Sequence, residues 1–139
     1  TNYSDVWQVQ NWRLCGGGGD VGLPDLRNTS YVIGQQQAYL NALKAMGVKG
    51  FRIDAAKHMP NSHLNAVLTS QIKSGMYVFG EIITGGGAGE LEYDRFLAPY
   101  LQQTDHAAYD FPLHNQIRGA FSFGGSMSQL VDPGAYGQA

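Results

Sequence analysis

The sequence predicts an α/β fold with a parallel sheet, built from consecutive strand–helix units. Three observations lead there. Two short apolar runs of strand character, Phe51-Arg52-Ile53 and Tyr77-Val78-Phe79-Gly80-Glu81-Ile82, each follow a segment of helical period. The first stops at a carboxylate, Asp54, and the second carries one, Glu81, near its end. The two acids stand one strand–helix repeat apart, because a crossover helix with its loops takes roughly two dozen residues. Consecutive strand ends of a parallel barrel are neighbours on one face, so Asp54 and Glu81 would confront each other there.

Residues 1–13 are polar with two tryptophans, Trp7 and Trp12, whose rings would either pack or stack on sugars. Gly16-Gly17-Gly18-Gly19 lacks the Gly-Lys-Ser/Thr that completes a phosphate loop and reads as a flexible connection. Asp25 and Asn28 precede a helical segment and are good capping types. Residues 30–46 are predicted as a helix with Ser30 as its N-cap and Gly47 as its stop. A second helix is expected over residues 60–73, with Leu64, Val67, Leu68 and Ile72 on its apolar face and His63 near its exposed start. Gly85 to Gly89 reads as a mobile loop beyond Glu81. A third helix is expected over residues 90–101, with Leu91, Phe96, Leu97, Tyr100 and Leu101 inward. Its Glu90, Glu92 and Asp94 would be a solvated, dipole-favoured start. Residues 107–111 are predicted as a third strand broken by Pro112, which would put Asp110 at a strand end in a supporting or substrate-contacting role. Residues 114–121 read as a short helix and the remainder as loop.

The chemistry gathers in Gly50-Phe51-Arg52-Ile53-Asp54-Ala55-Ala56-Lys57-His58. Alternation along the strand puts Arg52 and Asp54 on one side and Phe51 and Ile53 on the other. A permanent cation beside a carboxylate favours its charged form, which suits a nucleophile and equally suits a structural salt bridge. Glu81 follows Val78-Phe79-Gly80 with no cation next to it in sequence; apolar surroundings suit a proton donor. Two facing carboxylates are the equipment of retaining glycoside hydrolysis, at a separation of about 5 Å.

This nine-residue segment resembles the nucleophile segment of the α-amylase family in residue type and order. Phe79-Gly80-Glu81 is similar to that family's acid/base segment, and Leu23-Pro24-Asp25-Leu26 to a short segment near the end of its protruding second domain. The three stand in the family's order. The resemblance implies part of a (β/α)8 TIM barrel, about three of its eight strands, with residues 1–29 closing the inserted second domain and residues 30–139 in the catalytic barrel. It implies endo-hydrolysis of α-1,4-glucosidic bonds in starch and maltooligosaccharides, with Asp54 as nucleophile, Glu81 as general acid/base and Arg52 supporting Asp54. Lys57 and His58 would contact sugar; read from the residues alone, both are surface positions. Asp25 and the His58 carbonyl would ligate a structural calcium. Arg52 resembles a chloride-contacting arginine of one branch, and chloride stays open. The family's third catalytic aspartate follows a histidine, and no His-Asp pair occurs here. The Gly16 to Gly19 run departs from the family pattern and leaves the setting of Cys15 open.

At 139 residues the chain is long enough for one domain but short of the roughly 250 residues of a barrel. It is expected to be an internal piece of a secreted, monomeric enzyme, with little activity of its own. A net charge of −2 gives no footprint for nucleic acid or an anionic membrane. No apolar run approaches the ~20 residues of a membrane span, and one cysteine cannot close an intrachain disulfide. Two other readings remain. In one, Asp54, His58 and Glu81, joined by Asp110, hold a divalent metal in a lyase or isomerase barrel. In the other, the chain comes from a carbohydrate-binding relative that has lost catalysis.

Overall fold

Three strands, β1 (Gly50–Ile53), β2 (Tyr77–Gly80) and β3 (Ala107–Ala108), pair in parallel and in sequence order in the computed structural model, which describes residues 1–14, 18–87 and 89–131. The register aligns Phe51 with Val78, Arg52 with Phe79 and Ile53 with Gly80. One face of the sheet carries Phe51, Ile53 and Val78, which cluster with Leu40 and Ile72 from the helices and with Leu68 and Met76 from the connections. The other carries Arg52 and an aromatic row in which Tyr77 meets Phe79 at 5.5 Å and Phe79 meets Tyr109 at 5.0 Å between ring centres. Tyr77 is exposed. A parallel sheet with helices packed on its outer side is a sector of a (β/α)8 barrel, and the aromatic row then faces the axis.

The helices differ from expectation mostly at their ends. The cap of α2 (Ser30–Ala45) is Thr29, not Ser30: its side chain accepts from the Val32 N–H at 3.3 Å. Gly47 ends the helix as expected, at φ +98°, where a side chain would be strained. The helix expected over residues 60–73 is two, α3 (Asn61–Val67) and α4 (Ser70–Lys73). Leu68 leaves helical geometry to enter the core, and Thr69 caps the new helix through the Ile72 N–H. Threonine side chains compete in this way with the helix ladder. Lys44 of α2 donates to the carbonyls of Gln71, Ile72 and Ser74 at 2.8–3.0 Å and so satisfies the end of α4. His63, expected near an exposed start, is buried.

The segment after Glu81 also departs from a regular helix. A π-type turn over Tyr93–Leu97 runs into α5 (Ala98–Gln103). The wider turn brings Tyr93, Phe96, Leu97 and Tyr100 into the main core and leaves Leu91 outside. The third strand stops at Ala108, because Asp110 begins a helix instead of ending a strand. Its side chain caps α6 (Phe111–Ala120), accepting from Leu113 N–H at 2.8 Å. Pro112 sits in the first turn, where a missing N–H costs nothing. The tail beyond contains a 3-10 turn, Met127–Leu130.

No element was expected before residue 30, yet α1 (Val6–Asn11) forms under an Asp5 cap that accepts from Gln8 N–H. Its Val9 is fully buried in the same core as Ala56, Leu64 and Tyr100. Trp7 and Trp12 meet edge-on at 6.1 Å and both stay exposed. Leu14 and Leu23 pair as an antiparallel bridge, with Gly18 and Gly19 in the turn between them. Cys15, Gly16 and Gly17 lie outside the described residues. No helix among the described residues is long and apolar enough to cross a membrane.

Candidate active site

The site grows from the carboxyl ends of β1 and β2. The Glu81 N–H donates to the Ile53 carbonyl at 3.0 Å, so the ladder continues one residue past the strands and holds the two acid-bearing positions level. Arg52, one alternation before Asp54 and on the same face, reaches both acids. Its Nη1 is 2.5 Å from Asp54 Oδ1 and its Nη2 is 2.9 Å from Glu81 Oε1. A guanidinium fork can make two directed bonds at once, which an ammonium cannot. The Asp54 bond, with Tyr109 and Glu81 behind it, raises the Arg52 pKa above its ordinary value. Arg52 also lies 5.7 Å over the Tyr109 ring. The expectation that Glu81 has no adjacent cation is therefore corrected: the cation comes from the neighbouring strand, which the linear sequence hides.

Two backbone features complete the pair. Ala55 adopts a left-handed conformation, φ +47° and ψ +38°, and among the described residues it is the one non-glycine with positive φ. Such a residue costs on the order of 1–3 kcal/mol and persists where its surroundings hold it. Here it turns the chain immediately after Asp54 and aims the Ala55 N–H at Glu81 Oε2, 3.2 Å away. Gly80 is required for a different reason. A Cβ there would lie 2.6 Å from the Tyr100 hydroxyl and 2.9 Å from the Ala56 Cβ, so the core closes tightly beneath Glu81.

The two acids differ in exposure. The Asp54 side chain is 78% exposed and that of Glu81 24%. Two clefts open beside them. One of about 300 Å³ is lined by Arg52, Glu81, Tyr109, Asp110, Phe111 and His114. The other, about 400 Å³, includes Tyr3, Asp54, Lys57, His58 and Glu81. Glu81 borders both.

Lys57 and His58 occupy the 3-10 turn after Asp54. The Lys57 side chain is only 13% exposed; it is ion-paired with Glu92 and donates to the Ile83 carbonyl at 3.2 Å. Burial lowers its pKa, with the charge of Glu90 opposing. His58 meets Tyr3 edge-on at 5.7 Å, and its Nδ1 is buried without a hydrogen-bond partner. Burial first, then the charge of Lys57, lowers its pKa, while a bond to the Val9 backbone opposes.

The expected solvated helix start is corrected: Glu92 pairs with Lys57, Glu90 accepts from Tyr93 N–H at 2.9 Å, and Asp94 from Gly89 N–H at 3.0 Å. The loop expected to be mobile is held on both sides in its described part. Asn115 donates to the Thr84 and Gly85 carbonyls at 3.3 and 2.9 Å.

Asp25 is exposed and lies outside any helix or strand. No group of three or more His, Cys, Asp or Glu side chains able to hold a metal occurs among the described residues. Asp25 and one carbonyl fall well short of the six to eight oxygens calcium takes, so these residues do not by themselves fit a calcium site. Nor are Asp54, His58, Glu81 and Asp110 assembled as a metal centre; Asp110 is occupied as a cap. Sequence reasoning missed Tyr109, Ala55, Glu92 and Asn115. Of these only Tyr109 carried a signal, an aromatic residue beside the acid that drew attention.

No family model matches the sequence. The whole chain is 63% identical to an α-amylase of Aeromonas hydrophila, of which it covers 30%. Over 97% of its length it is 35% identical to an α-amylase of Thermomonospora curvata, of which it covers 21%. Its fold is similar to the structure of an α-amylase from Malbranchea cinnamomea, with a TM-score of 0.69 and 26% identity over 94% of this chain and 26% of that one. A cyclomaltodextrin glucanotransferase structure matches with a TM-score of 0.62 and 25% identity over 87% of this chain and 24% of the other. The chain thus spans less than a third of the length of these relatives.

Proposed function

Because this chain belongs to the α-amylase family, we propose that the full-length protein containing it hydrolyses α-1,4-glucosidic bonds of starch and related glucans with retention of configuration. The observation that carries the reading is the pair Asp54 and Glu81 at the ends of adjacent parallel strands, spanned by one guanidinium. A retaining pair stands about 5–5.5 Å apart, and here both acids lie within reach of a single guanidinium.

In this reading an Asp54 oxygen attacks the anomeric carbon as its bond to the leaving oxygen breaks, and Glu81 gives that oxygen its proton. Glu81, now a carboxylate, takes a proton from water, and the water oxygen displaces Asp54. Exposure fits the division of labour: the open Asp54 can approach a sugar from the cleft, while the more enclosed Glu81 borders both clefts, as a group between two sugar subsites would. Arg52 orients both carboxylates. Lys57 and His58 line the cleft on the Asp54 side as candidate sugar contacts. The third carboxylate that the resemblance implies would follow a histidine, and no His-Asp pair occurs in this sequence, so little activity is expected of these residues alone.

Calcium and secretion enter only through the resemblance. Asp25 and the His58 carbonyl would supply two oxygens of a calcium site completed by other parts of the protein.

The test is starch hydrolysis by the full-length protein, with the product anomer followed by NMR, beside Asp54→Asn and Glu81→Gln. Release of α-anomeric maltooligosaccharides, lost by several orders of magnitude in both variants, supports the reading. An inert parent, or a variant that keeps most of its rate, ends it. The glucanotransferase neighbour motivates one further measurement, since a sugar hydroxyl in place of water would give longer or cyclic products.

A further inference from the structure

Lys57 stands three residues after Asp54, yet its contacts gather on the segment that carries Glu81. Its backbone N–H donates to the Glu81 carbonyl at 3.3 Å. Its Nζ donates to the Ile83 carbonyl at 3.2 Å, pairs with Glu92 and lies 5.0 Å from the centre of the Phe96 ring. Glu92 is itself held, because it stands in a turn closed by the bond from Tyr93 N–H to Glu90 and seated by buried Tyr93 and Phe96. Two stretches that must keep a fixed spacing, one bearing each acid, are thus joined beyond the ladder by one partly buried ion pair.

We propose that Glu92 is a positioning residue for bond cleavage: through Lys57 it locks the Glu81 segment against the Asp54 segment and so aims the Glu81 carboxyl at the departing oxygen. The inference rests on the proposed hydrolase reading. It also changes the part given to Lys57. An ammonium shared between Glu92 and a carbonyl, with its side chain almost enclosed, is first a tie between two segments and only second a sugar contact.

The distinction is measurable, because a misaimed proton donor matters only when the leaving group needs a proton. A maltooligosaccharide leaves as an alkoxide unless protonated. Fluoride leaves α-maltotriosyl fluoride as a stable anion with no proton. In the full-length protein, Glu92→Gln and Glu92→Ala are expected to lose on the order of 10²-fold in kcat/KM on a maltooligosaccharide, the scale of a small misplacement. Their kcat/KM on α-maltotriosyl fluoride should stay within about threefold, since acid assistance is not required there. On the maltooligosaccharide, adding Glu92→Gln to Lys57→Met should cost little beyond Lys57→Met alone, as residues acting through each other are not additive.

Equal losses on both substrates would mean general disruption and would overturn the proposal. So would no loss on either, or a change in KM alone, which would make the pair a sugar contact. Failure of the hydrolase reading looks different: the unmutated protein would then turn over neither substrate.

Discussion

Two charged clusters sit at opposite ends of the same sheet, each built on a cation paired with a carboxylate. At the carboxyl ends, Arg52 meets Asp54 and Glu81. At the amino ends, Lys73 before β2 is ion-paired with Asp105 before β3, beside His106. A basic residue, an acid and a histidine within reach of strand termini would serve a catalytic reading equally well at either end. The surroundings separate them. At the carboxyl ends two carboxylates converge on one cation and border clefts of about 300 and 400 Å³, whereas the cleft of about 300 Å³ at the amino ends is lined by Lys73 and a single carboxylate, Asp105. At the amino ends the histidine is completely enclosed, packed 5.9 Å from the Tyr100 ring, and neither of its ring nitrogens makes a hydrogen bond. Asp105 is 72% exposed, and Lys73 holds its pKa below the ordinary range. The two ends differ in what faces the opening: two carboxylates on one guanidinium at one, and one carboxylate on an ammonium beside an enclosed histidine at the other. In parallel β/α folds function collects at the carboxyl ends and stability at the amino ends.

The sharpest way to break this comparison is to neutralise an acid at each end. Asp54→Asn or Glu81→Gln should cost several orders of magnitude in turnover on starch, because each removes a group that the proposed cleavage uses directly. Asp105→Asn should leave turnover within about twofold, as the carboxylate is largely exposed and lies at the end of the sheet away from the clefts beside Asp54 and Glu81. A comparable loss from Asp105→Asn would mean that the two ends are not functionally distinct.

Arg52 sharpens the point at the next scale. Arg52→Lys keeps the charge but not the fork, so one carboxylate loses its partner. A loss on the order of 10²-fold in kcat is expected, the size of a small misplacement of reacting groups. If lysine serves as well, the bridge is ordinary charge compensation and the geometry of the fork does not matter.

How much of this was legible beforehand depends on whether a feature is local or between strands. The strand around Phe51 to Ile53, the alternation that pairs Arg52 with Asp54, and the repeat that brings Glu81 alongside are all written in short periodicities. The contact from Arg52 to Glu81 was not, because it crosses strands and depends on register. For the same reason the sequence concealed Glu92 behind Lys57. Helix ends failed in another way. Thr29, Thr69 and Asp110 decide them by a single side-chain bond to an N–H, and neighbouring Ser30, the continuous apolar face of residues 60–73 and the β-like Ala107-Ala108-Tyr109 outweighed that signal. His63 was misjudged because the helix start bearing it packs against the molecule, which spacing along one helix cannot reveal.

The amino-end cluster should declare itself through pH. Burial, reinforced by the charge of Lys73, lowers the His106 pKa, while Asp105 opposes. His63 is lowered by burial with Asp25 opposing, and His58 by burial and Lys57. The unfolded chain binds these protons more readily, with a pKa near 6.5. Stability is therefore complete above about pH 6.5 and is lost as the pH falls from there towards the folded-state values. The thermal midpoint of the full-length protein should drop between pH 7 and pH 5, and His106→Phe should make the drop shallower. An unchanged slope in that variant would remove His106 from the account.

Asp110 provides the smallest and most discriminating test, because it borders the site cleft yet is bonded as a cap. Its carboxylate accepts the Leu113 N–H at the start of α6, and α6 carries the Asn115 that ties the Thr84 and Gly85 carbonyls beyond Glu81. A cap needs an oxygen acceptor and not a charge, and asparagine caps about as well as aspartate. Asp110→Asn should then leave both stability and turnover nearly intact. Asp110→Ala should cost about 1 kcal/mol of stability, with turnover per folded molecule reduced only as far as Asn115 shifts with the helix. A metal ligand or a catalytic acid would behave in the opposite order, since either needs the negative charge and would fail in the asparagine variant first. Measuring the two variants side by side, by thermal unfolding and by starch turnover, therefore separates the cap from the alternative in which Asp110 joins Asp54 and Glu81 in the chemistry.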